Sequence, residues 1–152
     1  MERLVLNPNT LPLESVAQAI MESCPLALSP DAREQIQASR DFLERKIYER
    51  EEIIYGVNTG FGSLCHVSIE PAQLGALQVN LIRSHAAGMG DEAPLELVRL
   101  ILLLKIQNFC YGKSGVRLEL VERLVDFYNA DILPVIFTQG SLGASGDLAS
   151  HR

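Results

Sequence analysis

Pro94-Leu95-Glu96-Leu97-Val98-Arg99-Leu100-Ile101-Leu102-Leu103-Leu104-Lys105-Ile106-Gln107-Asn108-Phe109-Cys110-Tyr111-Gly112 is the stretch on which the fold class turns. Pro94 opens one helix that runs through about Tyr111, and Gly112 closes it. Residues 100–104 are apolar on every side, the pattern of a helix buried in a bundle or between subunits. Glu96, Arg99 and Lys105 interrupt the apolar run, which is too short to span a bilayer.

Helical signals recur on both sides. Downstream, residues 116–129 read as a further helix that Pro134 keeps from simply continuing. Upstream, Ser68 is placed to cap a helix with Glu70 and Pro71 in its first turn. Leu74, Leu77, Leu81 and His85 then fall on one apolar face, and Gly88-Met89-Gly90 ends it. Ser29-Pro30-Asp31 combines an N-cap serine, a first-position proline and a dipole-favoured acid, predicting a helix to about residue 50 with one solvated face. An earlier helix is expected from Thr10, with Pro12 in its first turn, to about residue 23. Residues 2–9 read as a short strand in which Leu4 and Leu6 alternate. The class is mainly α, one domain with minor short strands and a Gly-rich loop near the C-terminus.

Composition narrows the function classes. The chain has 152 residues, a net charge of −6 and a pI near 5.0, which argues against nucleic acid as a partner. Cys24, Cys65 and Cys110 are odd in number and widely spaced, matching neither a disulfide framework nor a metal site. With no signal-peptide pattern at Met1-Glu2-Arg3-Leu4, the reading is a cytoplasmic protein with reduced thiols. No phosphate loop, metal-ligand cluster or nucleophile elbow is present.

Three stretches could carry chemistry. The first, Ile54-Tyr55-Gly56-Val57-Asn58-Thr59-Gly60-Phe61-Gly62-Ser63, has no helical period and reads as a loop. A phenol has a reference pKa of about 10, so Tyr55 acting as a base needs a site that favours phenolate; packing is the plainer role for a loop tyrosine. Asn58 and Thr59 could orient a substrate, and turn chemistry explains them equally well. The second is Ser84-His85, followed by the small residues Ala86-Ala87-Gly88; it fits either a pocket or a satisfied core histidine.

The third is Gln139-Gly140-Ser141-Leu142-Gly143-Ala144-Ser145-Gly146-Asp147-Leu148. By itself this is a Gly-rich turn leading into a helix. Tightly folded, it brings the unhindered Gly146 amide nitrogen toward the Ala144 carbonyl carbon. Ring closure loses the Ala144 carbonyl oxygen as one water and the Ser145 hydroxyl as a second, and gives a methylidene-imidazolone electrophile.

Tyr55-Gly56-Val57-Asn58-Thr59-Gly60-Phe61-Gly62, Asn80-Leu81-Ile82-Arg83-Ser84-His85-Ala86-Ala87-Gly88 and Gly140-Ser141-Leu142-Gly143-Ala144-Ser145-Gly146-Asp147-Leu148-Ala149 occur in an order that resembles the histidine ammonia-lyase and aromatic amino acid lyase family. Lys113-Ser114-Gly115-Val116-Arg117 is similar to a further family segment. The resemblance implies an ammonia-lyase of histidine catabolism that converts L-histidine to urocanate and ammonia. It implies catalytic roles for Tyr55, as base toward the β-carbon, and for Ala144, Ser145 and Gly146, as precursors of 4-methylidene-imidazol-5-one. Substrate binding falls to His85, Ser84 and Asn58, and no metal is implied. Ser84-His85 resembles the histidine-type enzymes; the alternatives are a tyrosine or phenylalanine lyase or aminomutase, or a non-catalytic helical interaction module.

Family enzymes are homotetramers with active sites shared between subunits. They are also several times longer and continue Asp-Leu-Ala-Pro-Leu where this chain reads Asp147-Leu148-Ala149-Ser150-His151-Arg152. Residues 1–152 are therefore expected to be a single N-terminal lyase domain ending before the family's long central helical bundle, and inactive alone.

Overall fold

Ser29 caps a helix as its place before Pro30 predicts: its Oγ accepts the Ala32 amide at 3.1 Å. The computed structural model describes residues 3–49 and 54–140. Among them five α-helices and four short strands follow in the order β1 (Leu4–Leu6), α1 (Leu13–Met21), β2 (Leu26–Leu28), α2 (Pro30–Glu49), α3 (Leu74–His85), β3 (Met89–Glu92), α4 (Leu95–Cys110), α5 (Leu118–Asn129) and β4 (Phe137–Gln139). The mainly α class holds. The described residues divide into two compact units, one built from those up to 45 and from 93–135, the other from those of 46–92 and 136–140.

In the first unit, α1 carries the chain from β1 back to a parallel partner, β2, with Leu4 opposite Leu26 and Leu6 opposite Leu28. Parallel neighbours need such a crossover. Leu6, Leu26 and Leu28 point into the core while Val5 is exposed, the alternation of a half-buried strand. Asn129, at the end of α5, clips the pair: its Oδ1 accepts the Leu26 amide at 2.7 Å and its Nδ2 donates to the Leu26 carbonyl at 3.0 Å.

One face of α4 (Leu102, Leu103, Ile106, Phe109 and Cys110) supplies the centre of the core, packed with Ala19, Ile36, Val121, Val125 and Tyr128. The other face is open, with Leu97, Ile101 and Leu104 between 41% and 47% exposed. The helix is thus half-buried in this chain although its sequence is apolar all round. Gly112 ends it at φ +62°, and a Cβ there would stand 2.6 Å from the Gln35 carbonyl oxygen of α2. Only glycine meets both demands.

Several expectations shift. Pro12 lies just before α1, in an extended conformation, so that helix starts at Leu13 rather than Thr10. The residue preceding a proline avoids the helical region, which holds Leu11 out of the helix. Ser68 caps nothing: it bridges to Thr59, a 3₁₀ turn follows at Pro71–Gln73, and α3 opens only at Leu74. The last helix starts at Leu118, not 116, because Gly115 turns the chain at φ +62° beneath Leu43. Strands β2, β3 and β4 are additions to the sequence reading. The predicted helix end near residue 50 lies outside the described residues.

Cys24 and Cys110 are buried free thiols, and Cys65 is half-buried. The Cys110 Sγ–H donates to the Ile106 carbonyl at 3.3 Å, and burial pushes the thiol up from 9.0 to about 11. The folded state therefore holds this proton more tightly than the unfolded chain. The stability it contributes is intact below pH 9 and is lost as pH rises to about 11. Urea unfolding at pH 8 and pH 11 is expected to show the native chain losing about 2–3 kcal/mol more than Cys110→Ala. Equal losses would refute this.

Candidate functional site

The loop after residue 53 is folded around its own polar groups. Ile54 donates its amide to Asn58 Oδ1 at 2.7 Å, and its carbonyl accepts the amides of Val57 at 3.1 Å and Asn58 at 3.2 Å. Gly56 donates to Thr59 Oγ1 at 3.2 Å, and the Thr59 hydroxyl donates to the Gly60 carbonyl at 2.8 Å. A short backbone ladder anchors the far side, with Ile69 donating to the Asn58 carbonyl at 2.9 Å and Gly60 to the Val67 carbonyl at 3.1 Å. Gly60 lies so close to Leu64 that a Cβ would fall 2.7 Å from the Leu64 Cβ.

Tyr55 stands out from this loop, 63% exposed. Its ring meets Phe61 edge-on, with centroids 6.0 Å apart at 73°, a favoured arrangement for two aromatic quadrupoles. Asn58 sits within the loop with its carboxamide oxygen committed to Ile54, and Thr59 is fully buried. The sequence left Thr59 divided between turn chemistry and substrate. The structure commits its hydroxyl to the loop backbone. Phe61 was not singled out from sequence, where one aromatic in a glycine loop carries no signal of its partner.

His85 ends α3 on the face shared by Leu74, Leu77 and Leu81, all half-buried, so the helical spacing placed it correctly. Its Nδ1 lies 2.9 Å from the Leu81 carbonyl oxygen and 2.9 Å from Ser84 Oγ, and Ser84 Oγ donates to the same carbonyl at 2.9 Å. A carbonyl oxygen can only accept, so this bond assigns the proton to Nδ1. In the neutral ring Nε2 is then an acceptor. No hydrogen bond occupies Nε2 among the described residues. Ser84 and His85 therefore act together as a held imidazole with one nitrogen available.

Residues 144–146 lie outside the described residues; β4 leads up to Gly140, the last of those described. Among the described residues no group of three or more His, Cys, Asp or Glu could hold a metal, and no helix is long and apolar enough to cross a membrane.

Known proteins resemble this chain in sequence and in fold. The aromatic amino acid lyase family matches residues 11–151. A histidine ammonia-lyase of Deinococcus radiodurans is 50% identical over 139 residues, 91% of this chain and 26% of the relative. The ergothioneine-degrading ergothionase of Treponema denticola superposes with a TM-score of 0.89 at 30% identity, over 98% of this chain and 30% of that one. The histidine ammonia-lyase of Trypanosoma cruzi does so with a TM-score of 0.80 at 34% identity, over 92% and 27%. The chain thus spans little more than a quarter of the length of these relatives. With the family matched along nearly all of its length and its backbone reproduced in solved members, this chain belongs to the aromatic amino acid lyase family.

Proposed function

We propose that this chain is the part of a histidine ammonia-lyase that supplies its proton acceptor, part of its amino-acid pocket and the backbone precursor of its electrophile. The reaction is non-oxidative deamination of L-histidine to urocanate and ammonia. The observation that carries this reading is the 50% identity with a histidine ammonia-lyase over 91% of the chain. The family match also takes in Tyr55, Asn58, Ser84, His85 and residues 144–146.

In this reading Tyr55 removes the proton from the substrate's β-carbon. Its exposed ring, carried on a backbone fixed by hydrogen bonds, suits a group that must meet a substrate in one place. His85 offers Nε2 to a donor on the bound amino acid, and Ser84 keeps the imidazole oriented through the shared Leu81 carbonyl. Asn58 contributes to the pocket from within the loop.

Ala144, Ser145 and Gly146 have the chemistry that 4-methylidene-imidazol-5-one requires: a small residue, a hydroxyl that leaves as water and an unhindered amide nitrogen. Once formed, the ring supplies an electrophile for a reaction otherwise limited by a poor leaving amine and a weakly acidic β-hydrogen. We further read the protein as a cytoplasmic homo-oligomer, a tetramer by analogy with its family. The exposed Leu97, Ile101 and Leu104 face of α4 supports an interface there.

The test is a hybrid in which this chain replaces the matching segment of the Deinococcus radiodurans enzyme. Urocanate formed from L-histidine, and a peptide spanning residues 144–146 lighter by two waters, are the expected results. An assembled hybrid that makes no urocanate and keeps the peptide unmodified would overturn the reading. Turnover of tyrosine or phenylalanine in place of histidine would move it to the aromatic-substrate lyases.

A further inference from the structure

Tyr55 is flanked by two peptide amides, and each is taken by a different side chain of one consecutive pair. On one side the Ile54 amide goes to Asn58 Oδ1 at 2.7 Å; on the other the Gly56 amide goes to Thr59 Oγ1 at 3.2 Å. Tyr55 as a whole is 63% exposed, with Phe61 as its aromatic neighbour, so surrounding side chains do little to fix its ring. What locates the ring is the backbone beneath it. Thr59 is suited to hold that backbone: it is 0% exposed, and its single hydroxyl both accepts from Gly56 and donates to the Gly60 carbonyl. The β-bridge to Ser68 anchors Thr59 itself to a second stretch of chain.

We propose that Thr59 is a positioning residue for Tyr55, its buried hydroxyl locking the Tyr55–Gly60 loop so that the phenol is presented in one place. The functional half of this inference rests on the reading of Tyr55 as proton acceptor; the structural half does not. Without the hydroxyl, the Gly56 amide and the Gly60 carbonyl both lose a partner. The loop then samples other conformations. A displacement of about 1 Å at a reacting group costs on the order of 100-fold in rate, while the pocket groups on α3 are untouched.

Thr59→Val keeps the shape and deletes the hydroxyl; Thr59→Ser keeps the hydroxyl and deletes the methyl. Amide hydrogen exchange on the full 152-residue chain is expected to show protection at Gly56 lost in Thr59→Val and retained in Thr59→Ser, with Leu103 in the first unit unchanged in both. In the hybrid lyase, Thr59→Val is expected to lower kcat about 10- to 100-fold with KM within about threefold, and Thr59→Ser to restore kcat to within about threefold. Unchanged Gly56 exchange in Thr59→Val would overturn the lock whatever the activity. A loosened loop with unchanged kcat, in a hybrid whose parent is active, would overturn the positioning role. Should the assembled parent hybrid make no urocanate and keep the 144–146 peptide unmodified, the lyase reading fails, and the exchange result still decides whether Thr59 holds the loop.

Discussion

Tyr55→Phe in the hybrid lyase is expected to lower kcat by about 10²–10⁴-fold, the range for removing a positioned general base, with KM changed little. The substitution deletes one oxygen and leaves the ring that meets Phe61 edge-on, so the loop should keep its shape. The Ile54–Asn58 and Gly56–Thr59 hydrogen bonds are made by backbone and neighbouring side chains, not by the phenol. Gly56 amide protection should therefore match the parent, which separates lost chemistry from lost structure. Steady-state kinetics with L-histidine make the measurement. A kcat within threefold of the parent would remove Tyr55 from the proton transfer.

Leu103→Ala is expected to destabilise the first unit by about 2.7–5 kcal/mol, the range for truncating a buried leucine and leaving a cavity. Leu103 is fully buried, at the centre of the α4 face that packs against the other core residues. Ile101→Ala, two residues away on the same helix, removes a side chain that is 41% exposed and should cost much less. Urea unfolding followed by amide exchange in the first unit gives the comparison. Because small domains are stable by only about 5–15 kcal/mol, the Leu103 variant should unfold at visibly lower urea. Equal costs for the two variants would mean that the core does not lie where α4 places it.

The residues carrying the proposed function were easier to find than to interpret. His85 was placed on an apolar helix face by its spacing from Leu81, Leu77 and Leu74, and the structure has all four half-buried. Its tautomer was not readable, because that depends on which of two nitrogens meets the Leu81 carbonyl. Thr59 and Asn58 looked like turn residues or substrate ligands with equal force. Their hydrogen bonds to Gly56 and Ile54 show what the loop does with them.

Short-range signals were sufficient at several helix boundaries and failed at others, the Thr10 start and the Ser68 cap among them. The Ser29 cap, the Pro94 start and Gly112 stop of α4, and the spacing of α3 all act within one or two helical turns. The parallel pairing of Leu4–Leu6 with Leu26–Leu28 and its clip by Asn129 join positions far apart in the chain, and the alternation of Leu4 and Leu6 marks a strand without naming its partner. The choice between the two faces of α4 was likewise hidden, because both are apolar and one is buried by packing with residues of α1, α2 and α5. Propensity and periodicity act locally, whereas burial and strand partnership exist only once distant segments meet.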